Sequence, residues 1–130
     1  MTEVNLISTD YSRSYIKTLL RAYGQKDRRK FPGVKTIDYE GFLELFVKQE
    51  GKCFWTGRQM ELPLNDGRRK PSQVSVDRLD NDRPHTLDNC VLVCQSINLM
   101  RSNYSMDDWL SFASNLGILS EEARVYFYGA

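Results

Sequence analysis

The 130-residue sequence has few cysteines, no long apolar segment and almost no net charge. Its three cysteines are an odd number, which argues against a disulfide framework and leaves free thiols or metal ligands. Because no apolar run is long enough, the sequence shows neither a signal peptide nor a membrane span. We therefore expect a cytoplasmic protein with no membrane partner, and a chain of this length should fold as one domain without disulfides.

The small net charge of +1 hides an uneven distribution. The segment from Arg13 to Lys35 contains eight basic residues and one acid, Asp27, so its net charge is +7. From Ser102 to the last residue, four acids and one base give −3. This asymmetry suggests one side that faces a polyanion and another that faces solvent, although a solvated basic loop is the alternative explanation.

The N-terminal part has the apolar spacing of a helix. Residues Thr9–Tyr23 are predicted to form it, and Gly24 is expected to end it before a basic loop at Gln25–Lys35. Basic residues at spacings of four should form a stripe beside its apolar face: Arg13, Lys17 and Arg21.

The rest of the chain alternates short regular elements with turns. We divide it into a helical, basic N-terminal part (1–50) and a core with C-terminal helices (51–130), both within one compact domain. The expected elements are a helix at Asp38–Glu50, a turn at Cys53–Gly57, a polar loop at Asn65–Ser72, and C-terminal helices that start at Ser105 and Ser120.

A strand–strand–helix unit is predicted between Val74 and Arg101. Alternating β-branched residues indicate a first strand, CVLVC a second, and QSINLMRS a helix. Polar residues stand at the joints: Asp77 ends the first strand, Asn89 opens the second and Asn98 lies on the helix. A hairpin packed on a helix would bring Asp77 and Asn98 together, and their oxygens suit a hard divalent cation.

At these residues the chain resembles the HNH endonuclease family. The family pattern Asn-Leu-x-x-Leu-Cys-x-x-Cys-(His/Asn)-x-x-Lys runs in register with Asn89 to Arg101, matching Asn89, Cys94, Asn98 and a basic residue at Arg101. SVDRLDNDRPHTLDN is similar to a phage-type branch that reads Asp-Arg-Ile-Asp at the first strand. The segment Gly51–Gly57 looks like the knuckle that precedes the family's active hairpin, so the resemblance covers about Gly51 to Arg101.

This resemblance implies a small α+β fold with a ββα-metal core and flanking helices. It also implies a phage- or prophage-encoded endonuclease in the host cytoplasm that acts on double-stranded DNA. Asp77 and Asn98 would bind one Mg²⁺ or Mn²⁺, and Asn89 would hydrogen-bond the backbone of the loop.

Two departures from the family pattern matter. Where many members have two Cys-x-x-Cys pairs, this chain has Cys53 with Thr56 and Cys94 with Ile97, so we expect buried thiols and no structural zinc. The remaining cysteine, Cys90, does not change this expectation. It lies four residues before Cys94 on the same strand, so the two thiols are some distance apart.

The second departure concerns the general base. The family's histidine after the strand aspartate is replaced by Arg78, which cannot accept a proton but can hold a phosphate oxygen. The base must then be His85, the only histidine, or Asp80. We favour His85 because an unperturbed histidine titrates near neutral pH; the alternative is that it is a plain surface residue of the loop.

Two functions remain open from the sequence. The first is an active nuclease that cuts only with a divalent ion and that loses activity, without unfolding, when Asp77 or Asn98 is replaced by alanine. The second is a binding module for DNA or protein whose chemistry was lost with the histidine. For the nuclease, the expected contacts to the DNA backbone are Arg13, Lys17, Arg21, Lys26, Arg28, Arg29, Lys30 and Arg101.

Overall fold

A computed structural model describes residues 10–63 and 69–129. Within these ranges it contains five α-helices and a two-stranded antiparallel sheet, which confirms a mixed α+β fold. The first half of the predicted polar loop at Asn65–Ser72 and the predicted start of the first helix at Thr9 lie outside the described residues. The elements are α1 (Asp10–Lys30), α2 (Tyr39–Lys48), β1 (Val74–Arg78), β2 (Cys90–Cys94), α3 (Gln95–Arg101), α4 (Met106–Leu116) and α5 (Glu121–Tyr128).

Helix α1 is longer than predicted, because Gly24 does not end it. The helix continues to Lys30, so four of the five basic residues assigned to a loop lie in its last two turns, and Lys35 follows the helix. A Cβ atom at position 24 would lie 2.9 Å from the Thr36 hydroxyl oxygen. The glycine therefore allows the helix to pack closely against the segment that follows it. The helix dipole in addition favours basic residues at the C-terminal end of α1.

Helix α2 confirms the second predicted helix. The Asp38 side chain accepts a hydrogen bond from the backbone N–H of Gly41 at 2.8 Å and caps the N-terminus. Phe42, Leu45 and Phe46 are buried. Its apolar face therefore belongs to the core.

The predicted hairpin and the helix after it are present. Strands β1 and β2 pair antiparallel, with Val74 opposite Cys94 and Asp77 opposite Val91. All five residues of β2 are buried, and α3 follows it directly and contacts both strands. This order places the end of β1, which holds Asp77 and Arg78, beside α3.

One hydrophobic core joins the two parts of the chain. It includes Ile16 of α1, Trp55 of the knuckle, Leu92 of β2 and Ala123 of α5. Helices α4 and α5 start where predicted, since Ser105 and Ser120 both cap them through their side chains. Among the described helices, none is both long and apolar enough to cross a membrane.

Candidate active site

A cavity of about 470 Å³ opens between α1, the end of β1, the loop before β2, and α3. Four of the six residues predicted to be catalytic line it: Asp77, Arg78, His85 and Asn98. Asp80 and Asn89 are not among the described residues that line it. Helix α1, which the sequence offered only as a backbone-binding element, supplies Tyr23, Lys26 and Asp27 to the same wall.

Asp77 is buried at the end of β1 and already has two strong partners. Its Oδ2 accepts a hydrogen bond from Trp55 Nε1 at 2.9 Å, and its Oδ1 forms an ion pair with Arg101 Nη1 at 2.5 Å. Burial raises the pKa of the Asp77 carboxyl, while Arg101 and Trp55 act in the opposite direction. Both oxygens of this carboxylate at the cavity wall therefore have a protein partner, and Arg101 neutralises part of its charge.

Arg101 does not lie where a DNA contact would need it. Only 1% of the residue is exposed, and besides pairing with Asp77 its guanidinium donates to the carbonyls of Arg78 and Leu79. The expectation that Arg101 binds a phosphate is thus corrected: its head group is enclosed with the end of β1. A five-donor fork can satisfy several acceptors in one plane, which explains why arginine stands at this position.

Asn98 connects α3 to β1 through its amide. Its Nδ2 donates to Ser75 Oγ at 2.8 Å and to the Val76 carbonyl at 3.3 Å. Since both amide hydrogens are engaged, the Oδ1 atom is the part of the side chain that remains for a ligand. Both partners of the amide belong to β1, so the strand holds the Asn98 side chain in place.

These donors fit a magnesium-type ion better than a zinc-type ion. The cavity offers carboxylate oxygen from Asp77 and amide oxygen from Asn98. Within the described part of the chain, no cluster of three His, Cys, Asp or Glu side chains could enclose a metal. Mg²⁺ usually keeps several of its waters, so one or two oxygen ligands from a protein can be enough to bind it.

His85 is buried in the loop before β2 and is held by α1. Its ring Nδ1 lies at hydrogen-bond distance, 2.9 Å, from Asp27 Oδ2, and its backbone N–H donates to the same oxygen at 2.7 Å. The ring stacks on Tyr23 with centroids 4.3 Å apart. Burial lowers the pKa of His85, and Asp27 partly offsets this. The alternative that His85 is a plain surface residue does not hold, because only 7% of it is exposed.

Sequence reasoning missed Asp27 as a site residue. Its only signal was that it is the single acid within a strongly basic segment. It lies 58 residues from His85 along the chain, so no local pattern links the two.

The two remaining candidates, Asn89 and Asp80, organise the loop. Asn89 donates to the carbonyls of Asp80 and Pro84 at 3.0 Å each and accepts from the Asp80 backbone N–H. Asp80 uses one carboxylate oxygen to accept from the backbone N–H of Asp82 at 2.9 Å. Both residues therefore shape the loop that carries His85.

Arg78 extends from the end of β1 along this loop. It is half-buried, and its Nη1 donates to the carbonyl of Arg83 at 3.1 Å. Because a guanidinium has five N–H donors, this tether leaves others for an anion in the cavity.

The predicted DNA-binding residues of α1 are exposed but lie on different sides of the helix. Lys26 lines the cavity, whereas Lys17, Arg21 and Arg28 line a separate groove with Tyr39. The ammonium of Lys17 lies 5.3 Å from the centre of the Tyr39 ring. The exposed set also contains Arg13, Arg29 and Lys30.

The three cysteines are free and buried, as the sequence suggested. The Cys94 backbone N–H donates to Cys53 Sγ at 3.4 Å, and the hydrogen bonding with Cys94 lowers the pKa of the Cys53 thiol. Burial raises the pKa of Cys90 to about 12. The knuckle is thus held to the end of β2 by a thiol pair.

No protein-family profile and no curated protein matches the chain.

Proposed function

We propose that this protein is a metal-dependent DNA endonuclease of the HNH type, encoded by a phage or prophage, that hydrolyses phosphodiester bonds in double-stranded DNA. The observation that carries the proposal is the cavity itself. It collects a carboxylate and a guanidinium from β1, a buried histidine from the loop before β2 and an amide oxygen from α3, so three separate segments supply them. A protein with no catalytic role has little need to place these four groups around one cavity.

The roles follow from the side chains. When bound at Asp77 and Asn98, Mg²⁺ or Mn²⁺ would clamp the scissile phosphate and stabilise the leaving 3′ oxygen. His85 takes a proton from a water whose oxygen bonds to phosphorus as the bond to the 3′ oxygen breaks. Arg78 neutralises charge that develops on the phosphate oxygens.

One structural feature favours the alternative, a catalytically degenerate module that only binds DNA or protein. Asp77 is already paired with Arg101, which weakens its attraction for a cation. Asn98 argues in the other direction, since its fixed amide leaves an oxygen available to a ligand.

Cleavage of supercoiled plasmid separates these functions. We expect nicked or linear product with Mg²⁺ or Mn²⁺ and none with EDTA. Asn98→Ala should raise the Mg²⁺ concentration for half-maximal cleavage by at least about tenfold, because an oxygen ligand is removed. Ser96→Ala is the matched control, as Ser96 is exposed on the same helix. Absence of metal-dependent cleavage, or an Asn98→Ala variant with unchanged metal dependence, contradicts the proposal.

DNA binding should weaken steeply with salt. Each phosphate contact adds about 0.9 to the slope of log K against log salt concentration on duplex DNA. Replacing Arg28, Arg29 and Lys30 together by alanine should therefore reduce the slope by up to about 3. A triple variant at Lys48, Lys52 and Arg58, which are exposed outside α1, controls for net charge. If the first variant keeps the parental slope, the end of α1 does not contact DNA.

A further inference from the structure

We infer that Asp27 of α1 is the positioning residue of this site: it holds the His85 ring in the orientation and tautomer that leave Nε2 free toward the cavity. The inference rests on the proposed function, and it makes α1 part of the active site as well as a binding surface.

The hydrogen-bond geometry specifies the tautomer. Asp27 and His85 are 5% and 7% exposed, and one carboxylate oxygen receives both the backbone N–H and the ring Nδ1–H of His85. An ionised carboxylate only accepts hydrogen bonds, so Nδ1 must carry a hydrogen. In the neutral ring, the lone pair is then on Nε2.

The rest of the ring is placed so that Nε2 stays available. Tyr23 covers one face of the imidazole at an interplanar angle of 11°. Among the described residues, none forms a hydrogen bond with Nε2, whereas His85 lines the cavity. A histidine base needs one ring nitrogen that is free to accept a proton. A carboxylate bonded to the other nitrogen orients the ring for that step.

Tyr23 joins this arrangement to the other half of the site. It lies one helical turn before Asp27 and lines the same cavity as Asn98. The Ser75 hydroxyl accepts from Asn98, the candidate metal ligand. One turn of α1 thus contacts the proposed base and lines the cavity that also holds the proposed ligand.

A purely structural role for Asp27 would need only its bond to the His85 backbone. The bond to the ring has a separate consequence, since it selects a tautomer and adds a negative charge. The other charged groups that face His85 are Lys26 on α1 and Arg78 on β1, and both lower its pKa, as burial does. Asp27 is the group that opposes them.

The single histidine makes a direct test possible. In protein labelled with ¹⁵N-histidine, the imidazole signals belong to His85 alone and report its tautomer without any activity assay. We expect the Nδ1–H form in the parent and loss of this preference in Asp27→Ala. Cleavage by Asp27→Ala should fall on the order of 10- to 100-fold, as for other groups that orient a catalytic imidazole. Asp82→Asn, which removes an exposed carboxylate from the same loop, should change neither measurement.

Asp27→Asn covers the case in which the alanine variant does not fold. Its amide oxygen can still receive both N–H groups, so the tautomer should persist while the pKa of His85 falls because the charge is gone. An Nε2–H ring in the parent, parental cleavage by Asp27→Ala, or an unchanged His85 pKa in Asp27→Asn would overturn the inference. A parent that has the Nδ1–H ring but never cleaves DNA would instead reject the proposed function.

Discussion

Replacing Arg101 by alanine should lower the free energy of unfolding by about 3–5 kcal/mol. Arg101 and Asp77 form an ion pair in which the side chains are 1% and 6% exposed. Removing the guanidinium leaves the Asp77 carboxylate buried with Trp55 as its remaining side-chain partner, and it frees the carbonyls of Arg78 and Leu79. An unpaired buried charge costs far more than an exposed one, which explains the size of the effect.

Urea unfolding followed by circular dichroism would measure this change. Arg124→Ala is the control, because Arg124 is exposed on α5 and its loss should change stability by no more than about 0.5 kcal/mol. An Arg101→Ala variant as stable as this control would show that the ion pair does not support the fold.

The ion pair also changes the expected behaviour of Asp77. From the sequence, Asp77→Ala should lose cleavage without unfolding. The structure predicts a loss of stability as well, because the variant leaves the Arg101 guanidinium buried without its carboxylate. Asn98 is therefore the better position for testing the metal site.

His85→Ala should reduce the cleavage rate by about 10²–10⁴-fold, the usual contribution of a positioned general base. Asp80→Asn should keep a rate close to that of the parent, because its carboxylate caps the loop and does not line the cavity. Both variants leave the buried Asp77 and Arg101 pair intact.

The pH dependence of the parent gives a second measurement of the same role. Burial lowers the pKa of His85 below its ordinary value of 6.5, so the neutral ring is available at neutral pH. Cleavage should fall on the acid side with an apparent pKa below 6.5. The free energy of unfolding should also decrease as the pH falls. His85 has a lower pKa in the folded protein than in the unfolded chain, so the unfolded chain binds the proton at a higher pH. The stability that the neutral ring contributes is therefore lost as the pH falls below about 6.5.

Three outcomes distinguish the candidate bases. Full activity in His85→Ala with loss in Asp80→Asn would move the role to Asp80. If both variants remain active, the water attached to the ion is activated without a protein base. Loss in His85→Ala alone, with the acid limb described above, supports His85.

By itself, the sequence determined the elements whose signals are local. The hairpin, helix α3 and the starts of α2, α4 and α5 could be predicted because strand alternation and side-chain caps act within a few residues. Asp38 and Ser105, for example, bond to backbone N–H groups three residues ahead. Local patterns of the same kind were enough to predict that Asp77 lies at the end of a strand and Asn98 on a helix.

Only the tertiary structure decided what these residues contact. Gly24 is a residue type that often ends a helix, but here it lies within α1. The lack of a side chain lets Thr36 pack close to the helix at this position. Arg101 looked like a phosphate ligand, yet it pairs with a carboxylate 24 residues away. Asp27 looked like one acid in a basic face, yet it holds His85 across 58 residues. Such pairings depend on how the core brings distant segments together, and charge or propensity along the chain carries no record of them.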